Sequence, residues 1–500
     1  MSTTAPHPSQ SIHLINFAAQ YRGVEDNTTP PFGCLYVGGQ LRQAGYAVTV
    51  HHIGSEVLEA TVEAIYASPQ PLFVGLSVLT GSPVAMSAKL SRALKDRLPN
   101  LSIVWGGVHP SLAPDSCLAE MSVNFVVRGE GEITTVELAD QLASGTNHPE
   151  RIAGLSWKDV SGTIHHNDDR PMHKGIDDFR VDWTLVDPRR YVKTALDGSP
   201  YISFIASRGC PFKCGFCYNL AFNKRRWRGH SPERVIKDLQ ELRDATGVAR
   251  VTFYDDNFMV NERWAFQILK GLRHLGMKAI WIEVRLDRFT DDLLSLLSHY
   301  GVRTIFVGWE SGSDRTLARI EKGFNRELVL KAFKLAAKHG LEIDASAIVG
   351  FPFEQIEDWR STISTALELD RIHPGKIKFN IGIYVPYPGT ALLKEAWDKG
   401  FRFPADIDGW DDFDILNGRM RLPWLSKDQI REIMLVDRYA KMLYLGGGGS
   451  RLARLIRGFF ARLARRRLRR FDFANPWEAA LYDAMVRIYV RRKHRKVATS

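Results

Sequence analysis

The chain has 500 residues, of which 45% are hydrophobic and 25% are charged, a composition that excludes disordered, collagen-like and disulfide-framework proteins and predicts several globular domains. It has no run of about 18 apolar residues, and residues 1–10 lack the apolar stretch of a secretory signal, so we expect neither a transmembrane nor an exported protein and predict a cytoplasmic one. The formal net charge is +11, but residues 451–500 contain 15 Lys and Arg against 3 acids, so the rest of the chain is close to neutral.

After a flexible N-terminus (1–10), residues 11–148 alternate short apolar strands with amphipathic helical segments. The predicted strands are 11–17, 46–53, 71–78, 101–107 and 124–129, and the predicted helices are 33–45, 56–68, 83–98 and 132–145. This alternation predicts a Rossmann-like, doubly wound α/β domain, in which ligands bind beyond the carboxyl ends of the strands.

The alternation stops in residues 149–199, which we predict to be a small hairpin around Ser161-Gly162 followed by a polar linker. It resumes over residues 200–397, where six strand–helix units predict a partial (β/α)6 barrel. Catalytic groups are expected at the carboxyl ends of its strands. The predicted barrel strands are 201–209, 250–257, 279–286, 304–312, 342–351 and 376–385.

The C-terminal part of the chain is predicted as an aromatic-rich accessory region (398–445) and a basic helical extension (446–500) that starts with the flexible sequence GGGGS. Seven apolar residues fall mostly on one face of the extension: Leu452, Leu455, Ile456, Phe459, Phe460, Leu463 and Leu468. Three interpretations are open: a helix packed on the barrel with a solvated basic face, a helix lying on an anionic membrane surface, or a segment that grips RNA phosphates. Because the aromatic residues are not interleaved for base stacking, the membrane surface is favoured over nucleic acid.

Three of the five cysteines, Cys210, Cys214 and Cys217, lie in one loop after the first barrel strand. A structural zinc site needs four ligands, usually in two separated pairs, and no fourth cysteine is nearby. Three thiolates in one loop suit a [4Fe-4S] cluster that leaves one iron open to substrate. Cys34 and Cys117 lie on predicted helices and are interpreted as packing residues, with a catalytic thiol as the alternative.

With Phe216 before the third cysteine, this Cys-x3-Cys-x2-Cys loop resembles that of the radical S-adenosylmethionine (SAM) superfamily, and the resemblance extends over residues 201–395. It implies that the open iron binds SAM, whose reductive cleavage gives a 5′-deoxyadenosyl radical. By position, the implied SAM-binding residues are Phe216, Asp255, Asp256, Arg285, Glu310 and Gly350. For the acids, the alternative is a helix cap or a surface ion pair.

The first domain resembles the cobalamin-binding domain of the cobalamin-dependent branch of this superfamily. The resemblance rests on the Ser-x-Leu element at 77–79 and the Gly-Gly element at 106–107, with 26 residues between them, and on the segments 106–114 and 126–132. The cobalamin-binding residues it implies are Ser77, Leu79, Gly106, Gly107, His109, Gly129 and Glu130. The Asp-x-His-x-x-Gly element of the branch would fall on Thr49, His51 and Gly54, so its acid is missing. His51 is therefore interpreted as a strand-end histidine rather than a cobalt ligand.

The resemblance implies a methyltransferase, class B-like, that methylates an unactivated carbon: the radical abstracts hydrogen from the substrate, and methylcobalamin supplies the methyl group. One alternative is an oxidative cyclase or ring-rearranging enzyme with the same cofactors, and another is a non-catalytic corrinoid or redox carrier. The expected partners are a small-molecule substrate such as a lipid, pigment or secondary-metabolite precursor, and a reductase or flavodoxin-type electron donor. The tyrosines Tyr218, Tyr384 and Tyr387 are candidates for the substrate pocket, with core packing as the alternative.

Overall fold

Two parallel α/β sheets follow one another along the chain in the computed structural model, which describes residues 10–21, 24–26, 28–146, 148–195, 197–414, 419–446 and 451–485. The predicted N-terminal segment before Gln10, the predicted hinge after Gly446 and the end of the basic tail lie outside these ranges.

The first sheet has seven strands in the order β4-β1-β5-β6-β7-β8-β9. Its elements are β1 Ser11–Phe17, β2 Ala19–Tyr21, β3 Val24–Asp26, α1 Phe32–Gln43, β4 Ala47–Ile53, α2 Leu58–Tyr66, β5 Phe73–Ser77, α3 Ser82–Arg97, β6 Ser102–Gly106, α4 Val108–Leu112, α5 Pro114–Ala119, β7 Phe125–Val127, α6 Gly131–Ser144, β8 Leu155–Lys158 and β9 Ile164–His166. The strands β4, β1, β5, β6 and β7 pair in parallel, which confirms the predicted doubly wound domain. The predicted hairpin is β8–β9, and it extends this sheet because β8 pairs antiparallel with β7.

The second sheet carries the barrel strands in the order β10-β11-β14-β15-β16-β17-β18. The elements of this part are β10 Lys193–Thr194, β11 Pro200–Phe204, β12 Ser207–Arg208, α7 Asn219–Phe222, β13 Arg228–Gly229, α8 Pro232–Thr246, β14 Arg250–Phe253, α9 Glu262–His274, β15 Lys278–Glu283, α10 Asp291–His299, β16 Thr304–Glu310, α11 Asp314–Arg319, α12 Arg326–Lys338, β17 Glu342–Val349, α13 Ile356–Ile372, β18 Ile377–Ile383 and α14 Leu393–Asp398. From β11 to β18 all neighbours are parallel and each strand ends at the same edge, as the predicted partial barrel requires.

Local sequence signals account for many of the helix boundaries in the barrel. The side chain of Ser231 caps α8 by accepting from the Arg234 amide, and Pro232 starts the helix, where its missing N–H costs nothing. Gly247 ends the same helix in the left-handed conformation, with φ of 72°. Between the sheet and these helices lies one continuous apolar core.

The accessory region after α14 packs on the first sheet and so links the two α/β units. Phe401, Trp410 and Phe413 belong to the same buried cluster as the side chains on one face of the first sheet. An ion pair of 2.8 Å between Arg92 on α3 and Asp408 reinforces this contact. The chain then forms α15, Lys427–Lys441, which packs beside β18.

The basic extension begins with α16, Arg451–Arg470, and residues 477–485 are also helical. The rest of the chain covers its apolar residues only in part. Phe460, Leu468 and the alanines between them are buried against α13 and α15, whereas Leu452, Leu455 and Phe459 are 66%, 71% and 50% exposed. Among the described helices, none combines the length and the apolar character needed to span a membrane.

Candidate functional site

The cysteine loop begins directly after β12 and lies at the carboxyl ends of the barrel strands. Gly209 begins the loop with φ of 83°, and any side chain here would collide with the Arg226 carbonyl, so only glycine fits. Its amide donates a 2.9 Å hydrogen bond to Asp256 Oδ2. Gly215, in the middle of the loop, donates to the Ile320 carbonyl and accepts from the Leu392 amide, both at 3.0 Å. The loop is therefore held from several sides of the barrel mouth.

The three cysteines are largely buried in this loop, and all are free thiols. Burial raises the pKa of the Cys217 thiol to about 12 and also raises that of Cys210. The Arg285 guanidinium lies 3.6 Å from Cys214 Sγ. Burial opposes the charged form of the Lys322 ammonium, but the charges of Glu310 and then Cys214 raise its pKa. These two buried cations would offset the negative charge of thiolates, which cluster irons require as ligands.

The three free thiols of the loop bear on which of the two metal centres considered they could hold. Among the residues that the structure describes, no group of three or more His, Cys, Asp or Glu side chains could hold a single metal ion. A [4Fe-4S] cluster needs a wider arrangement, since each cysteine binds a different iron. The three free thiols of this one loop thus fit a cluster.

Beside the loop, the carboxyl end of β14 carries the acidic pair Asp255 and Asp256. Asp255 is buried and accepts hydrogen bonds from the Ala206 amide and the Ser207 hydroxyl; burial still raises its pKa to about 7. Asp256 accepts from Gly209 and, at 3.4 Å, from the Tyr218 hydroxyl. The two carboxylates are therefore hydrogen-bonded to the cysteine loop and the residues just before it, and they are neither a helix cap nor a surface ion pair.

Next to this pair, Asn257 is also buried, and its Oδ1 has no hydrogen-bond partner within the described structure. An orphaned buried acceptor is unusual in proteins and is commonly satisfied by a ligand.

Further charged groups converge on the same edge from β15 and β16. Glu310 ends β16 with a left-handed φ of 60°, and its Oε1 accepts a 2.8 Å hydrogen bond from the buried Lys322 ammonium. Arg285 donates to the Lys322 carbonyl at 2.7 Å and lies over the Phe212 ring, 3.6 Å from its centroid. Lys322 also lies 5.9 Å from the centre of the Phe216 ring. The structure thus brings the expected Phe216, Arg285 and Glu310 together.

Sequence reasoning missed two members of this group, Glu283 at the end of β15 and Lys322 after α11. Burial, followed by the charge of Asp256, raises the pKa of the Glu283 carboxyl to about 8. Burial raises the pKa values of Asp255 and Glu283, and an edge with several buried carboxyl groups fits a positively charged ligand such as SAM. Glu283 lies at the carboxyl end of a barrel strand, where functional groups are expected, so the sequence could have identified it. No local sequence signal marks Lys322.

Gly350, the expected glycine after β17, has φ of 82° and lies in a turn closed by Glu354. The Glu354 carboxylate accepts from the amides of Gly350, at 2.7 Å, and Phe351, at 3.2 Å. A Cβ on Gly350 would lie 3.0 Å from the Leu425 side chain. Close packing and backbone conformation both favour glycine at this position.

A cavity of about 410 Å³ opens between the first sheet and the cysteine loop. It is lined by Ser77, Leu79, Gly106 and Gly107 from the carboxyl ends of β5 and β6, and by Asp256 from the barrel. Gly107 has φ of 99°, and a Cβ there would lie 3.1 Å from both the amide nitrogen and the carbonyl oxygen of Val78. The close approach of backbone at this edge fits a large ligand that lies against small residues, as cobalamin would.

The other expected cobalamin residues divide between the cavity and its surroundings. Gly129 lines the cavity with φ of 73°, and its amide donates to the Ser111 hydroxyl at 2.8 Å. His109 is fully buried against Trp410, with ring centres 4.4 Å apart, and is not among the residues that line the cavity. Its Nδ1 bonds the Thr80 hydroxyl at 3.2 Å, and burial lowers its pKa to about 4.

Glu130 lines the cavity but has a second role that the sequence did not suggest. Its carboxylate accepts hydrogen bonds of 2.7–2.9 Å from Arg208 and Arg228, both of which belong to the barrel part of the chain. Arg208 also donates to Glu132 at 2.6 Å and lies over the Tyr36 ring, 4.4 Å from its centre. Since Arg208 precedes Cys210 by two residues, this network ties the cysteine loop to the first domain.

The remaining residues singled out from the sequence lie as follows. His51 is in β4, where its Nε2 lies 2.9 Å from Nδ1 of His13, outside the cavity lining. Cys34 and Cys117 are buried packing residues, although Cys34 also reaches the cavity wall.

Among the three tyrosines, Tyr218 lines the cavity. Tyr384 is instead buried against Phe351, and Tyr387 lies beside Phe413.

Comparison with known proteins gives matches over both α/β units. Residues 204–366 match the radical SAM superfamily model, and residues 22–139 match the model of the B12 binding domain. An uncharacterized methyltransferase of Pyrococcus horikoshii is 30% identical over 414 residues, which cover 82% of this chain and 87% of that protein. An anaerobic magnesium-protoporphyrin IX monomethyl ester cyclase of Synechocystis is 30% identical over 407 residues, 79% of this chain and 78% of that protein.

Among solved structures, the radical SAM methyltransferase TsrM of Kitasatospora setae, with cobalamin and a [4Fe-4S] cluster bound, superposes with a TM-score of 0.66 at 15% identity. The match covers 92% of this chain and 99% of that one. At this identity the likeness establishes the shared fold. With the family models and the Pyrococcus relative, it confirms the predicted enzyme class and cofactors, a [4Fe-4S] cluster, SAM and cobalamin. The chain belongs to the radical SAM superfamily, in the branch whose members carry an N-terminal B12-binding domain.

Proposed function

We propose that this enzyme transfers a methyl group to an unactivated carbon of a largely apolar small molecule. One observation carries the proposal: a single cavity is lined by Ser77, Gly106 and Gly107 of the B12-binding domain and by Tyr218 and Asp256 of the barrel. Methyl transfer of this kind requires the methyl donor and the abstracted hydrogen to lie at one substrate carbon. A shared cavity supplies that arrangement.

In this proposal, Cys210, Cys214 and Cys217 hold the cluster. The residues that hold SAM are Phe216, Asp255, Asp256, Arg285, Glu310 and Gly350, together with Glu283 and Asn257. Cobalamin lies against Ser77, Leu79, Gly106, Gly107 and Gly129. When bound, these groups supply a radical that takes hydrogen from the substrate and a methyl group that replaces it.

The protein's own contribution is binding, orientation and exclusion of water. Leu79, Phe222 and Tyr254 make part of the cavity wall apolar, which suits an apolar substrate and keeps bulk water away from a reactive carbon. The Tyr218 hydroxyl donates to Asp256 and thereby holds the carboxylate beside the cysteine loop. The Arg285 guanidinium lies 3.6 Å from Cys214 Sγ, and the Lys322 ammonium donates a 2.8 Å hydrogen bond to Glu310, so two cations lie beside these groups.

The test is anaerobic reconstitution with iron, sulfide and cobalamin, followed by incubation with SAM, a reductant and panels of lipid and pigment substrates. We expect about one corrinoid and four irons per chain, and both 5′-deoxyadenosine and S-adenosylhomocysteine as products. Cys217→Ala should abolish SAM cleavage, whereas Cys117→Ala is the matched control at a buried thiol away from the loop and should retain it.

The product pattern separates methyl transfer from the alternatives. Formation of 5′-deoxyadenosine without S-adenosylhomocysteine would indicate a cyclase or rearrangement reaction instead of methyl transfer. This reaction is the second candidate, and the similarity to the Synechocystis cyclase favours it. No SAM turnover under any condition would leave a carrier protein.

A peripheral contact with an anionic membrane is the second part of this proposal, and α16 supports it. The exposed Leu452, Leu455 and Phe459 follow one another at helical spacing on the outward face. Around them are Arg451, Arg454, Arg462, Arg466, Arg469 and Arg470, for which the described structure shows no ion pair. Apolar side chains framed by arginines are the pattern that binds anionic lipid surfaces.

Sedimentation of the full-length protein with vesicles tests this contact. We expect binding to vesicles that contain phosphatidylglycerol, weaker binding to pure phosphatidylcholine, and loss of binding in Leu455→Glu/Phe459→Glu. Trp397→Glu is the control, since Trp397 is 45% exposed on α14. Equal binding of the double variant and the wild type would refute the contact.

A further inference from the structure

The cysteine loop also borders a surface depression that has no lining residue in common with the cavity and that the proposed chemistry does not use. On the cavity side the loop presents Tyr218. Pro211, Phe212 and Lys213, the three residues between the first two cysteines, line the depression, which is open and about 960 Å³ in volume. The rest of its lining comes from α11 and the segment after it, together with Arg225: Asp314, Leu317, Ala318, Glu321, Gly323, Phe324 and Asn325. A molecule in this depression would contact the loop without entering the cavity.

The floor of the depression is only a few atoms from the cysteine sulfurs. Pro211 is bonded directly to Cys210, and the Phe212 ring lies 3.6 Å from the Arg285 guanidinium carbon. The same guanidinium lies 3.6 Å from Cys214 Sγ. A partner that contacts Phe212 would thus be separated from the Cys214 sulfur by two contacts, from Phe212 to Arg285 and from Arg285 to Cys214.

One rim of the depression carries an excess of positive charge. Lys213, Arg225 and the adjacent Arg226 are exposed, and none forms an ion pair with a carboxylate in the part of the chain that the structure describes. Arg225 Nε makes a single contact, a 3.4 Å hydrogen bond to the Pro211 carbonyl. By contrast, the neighbouring Lys224 pairs with Asp169 at 2.7 Å. Unpaired cations around a redox loop favour an acidic partner.

Two acids also line the depression. Asp314 accepts the Arg326 amide at 2.6 Å and so belongs to the helix end, whereas Glu321 is exposed with a left-handed φ of 53°. Glu321 would repel an acidic partner, whereas Lys213, Arg225 and Arg226 would attract it. This difference in charge would fix the orientation in which the partner docks. It also provides a variant with the opposite expected effect.

We propose that an acidic one-electron carrier protein of the flavodoxin type docks on this depression and reduces the cluster through the Pro211–Lys213 face of the loop. The carrier is oxidised by one electron and the cluster is reduced by one electron, with no bond made in the carrier. The inference rests on the cluster assignment in the proposed function. It adds the location of the electron entry, at a surface separate from the substrate cavity.

The experiment compares two reductants on the reconstituted, full-length holoenzyme. Arg225→Gln/Arg226→Gln should lower the kcat/KM for a reduced flavodoxin at least tenfold in 5′-deoxyadenosine formation. The rate with dithionite, a small reductant that needs no docking, should stay within twofold of the wild type. Lys331→Gln/Lys334→Gln removes the same charge from exposed positions of α12 and should change neither rate.

Binding provides a readout that is independent of turnover. The Kd of oxidised flavodoxin for the holoenzyme, measured by surface plasmon resonance, should rise at least tenfold in the double Arg variant and fall in Glu321→Gln. The wild-type Kd should also rise steeply with ionic strength. If the double Arg variant keeps the wild-type Kd and the wild-type flavodoxin rate, the docking site is wrong. If dithionite fails to support SAM cleavage by the wild type, the proposed function fails instead.

Discussion

At the scale of single residues, Glu354 shows how one buried carboxylate organises a turn at the site. It accepts hydrogen bonds from the Gly350 and Phe351 amides, from Trp359 Nε1 at 3.1 Å and from the Thr316 hydroxyl at 2.9 Å. Glu354→Ala leaves these donors without their acceptor, and we expect it to lower the free energy of unfolding by about 2–4 kcal/mol. Chemical denaturation, compared with Glu357→Ala at an exposed position in the first turn of α13, measures the loss.

The same carboxyl gives stability a pH dependence. Burial raises the pKa of Glu354 to about 7 in the folded protein, above its ordinary value of 4.5. Because its pKa is raised, the Glu354 carboxyl binds a proton more tightly in the folded state than in the unfolded state. The contribution of this proton to the free energy of unfolding is complete below about pH 4.5 and is lost as the pH rises through 7. The melting temperature of the wild type should therefore fall relative to that of Glu354→Gln as the pH rises from about 4.5 to about 7. A constant difference across this range would contradict the raised pKa.

At the scale of elements, the turn after β6 shows why a strand in this sheet ends in two glycines. Gly107 combines φ of 99° with close contacts to the Val78 backbone, so Gly107→Ala strains both the turn and the edge that lines the cavity. We expect at least a tenfold weaker Kd for cobalamin, measured by absorbance titration. Gly162→Ala is the matched control, because it has φ of 86° in the β8–β9 hairpin with open space around it. Equal cobalamin affinity in the two variants would show that the close approach at Gly107 is unimportant.

The sequence predicted most elements because their signals are local. The alternation of apolar strands and amphipathic helices located both sheets, and the spacing of Cys210, Cys214 and Cys217 located the loop. It could not predict which elements pack across the two units. The β8–β9 hairpin joins the first sheet through β7, and α16 buries Phe460 while it exposes Phe459; both depend on neighbours distant in the chain. The role of Lys322 could not be predicted for the same reason, since its partner Glu310 belongs to another element.

At the scale of the whole molecule, the two α/β units must be held so that their strand ends face one cavity. Sequence similarity assigned Glu130 to cobalamin, but its carboxylate also binds Arg208 and Arg228 across the domain boundary. The side chains of Arg208, Arg228, Glu130 and Glu132 are largely buried. Buried charges are tolerated only where each one is paired with an opposite charge. The network therefore fixes the position of the cysteine loop relative to the first sheet.

Removing Arg208 tests this coupling, because Arg208→Gln leaves Glu132 without its partner and weakens the hold on Glu130. We expect a loss of about 3–5 kcal/mol in unfolding free energy, as for other broken buried pairs. We also expect the ratio of methylated product to 5′-deoxyadenosine to fall several-fold, because cleavage needs only the barrel whereas methyl transfer needs both units aligned. Arg97→Gln breaks an exposed 2.6 Å pair with Glu63 and should cost less than about 1 kcal/mol without changing the ratio. An unchanged ratio in Arg208→Gln would mean that other contacts, such as those of Trp410 with the first sheet, are sufficient to align the two units.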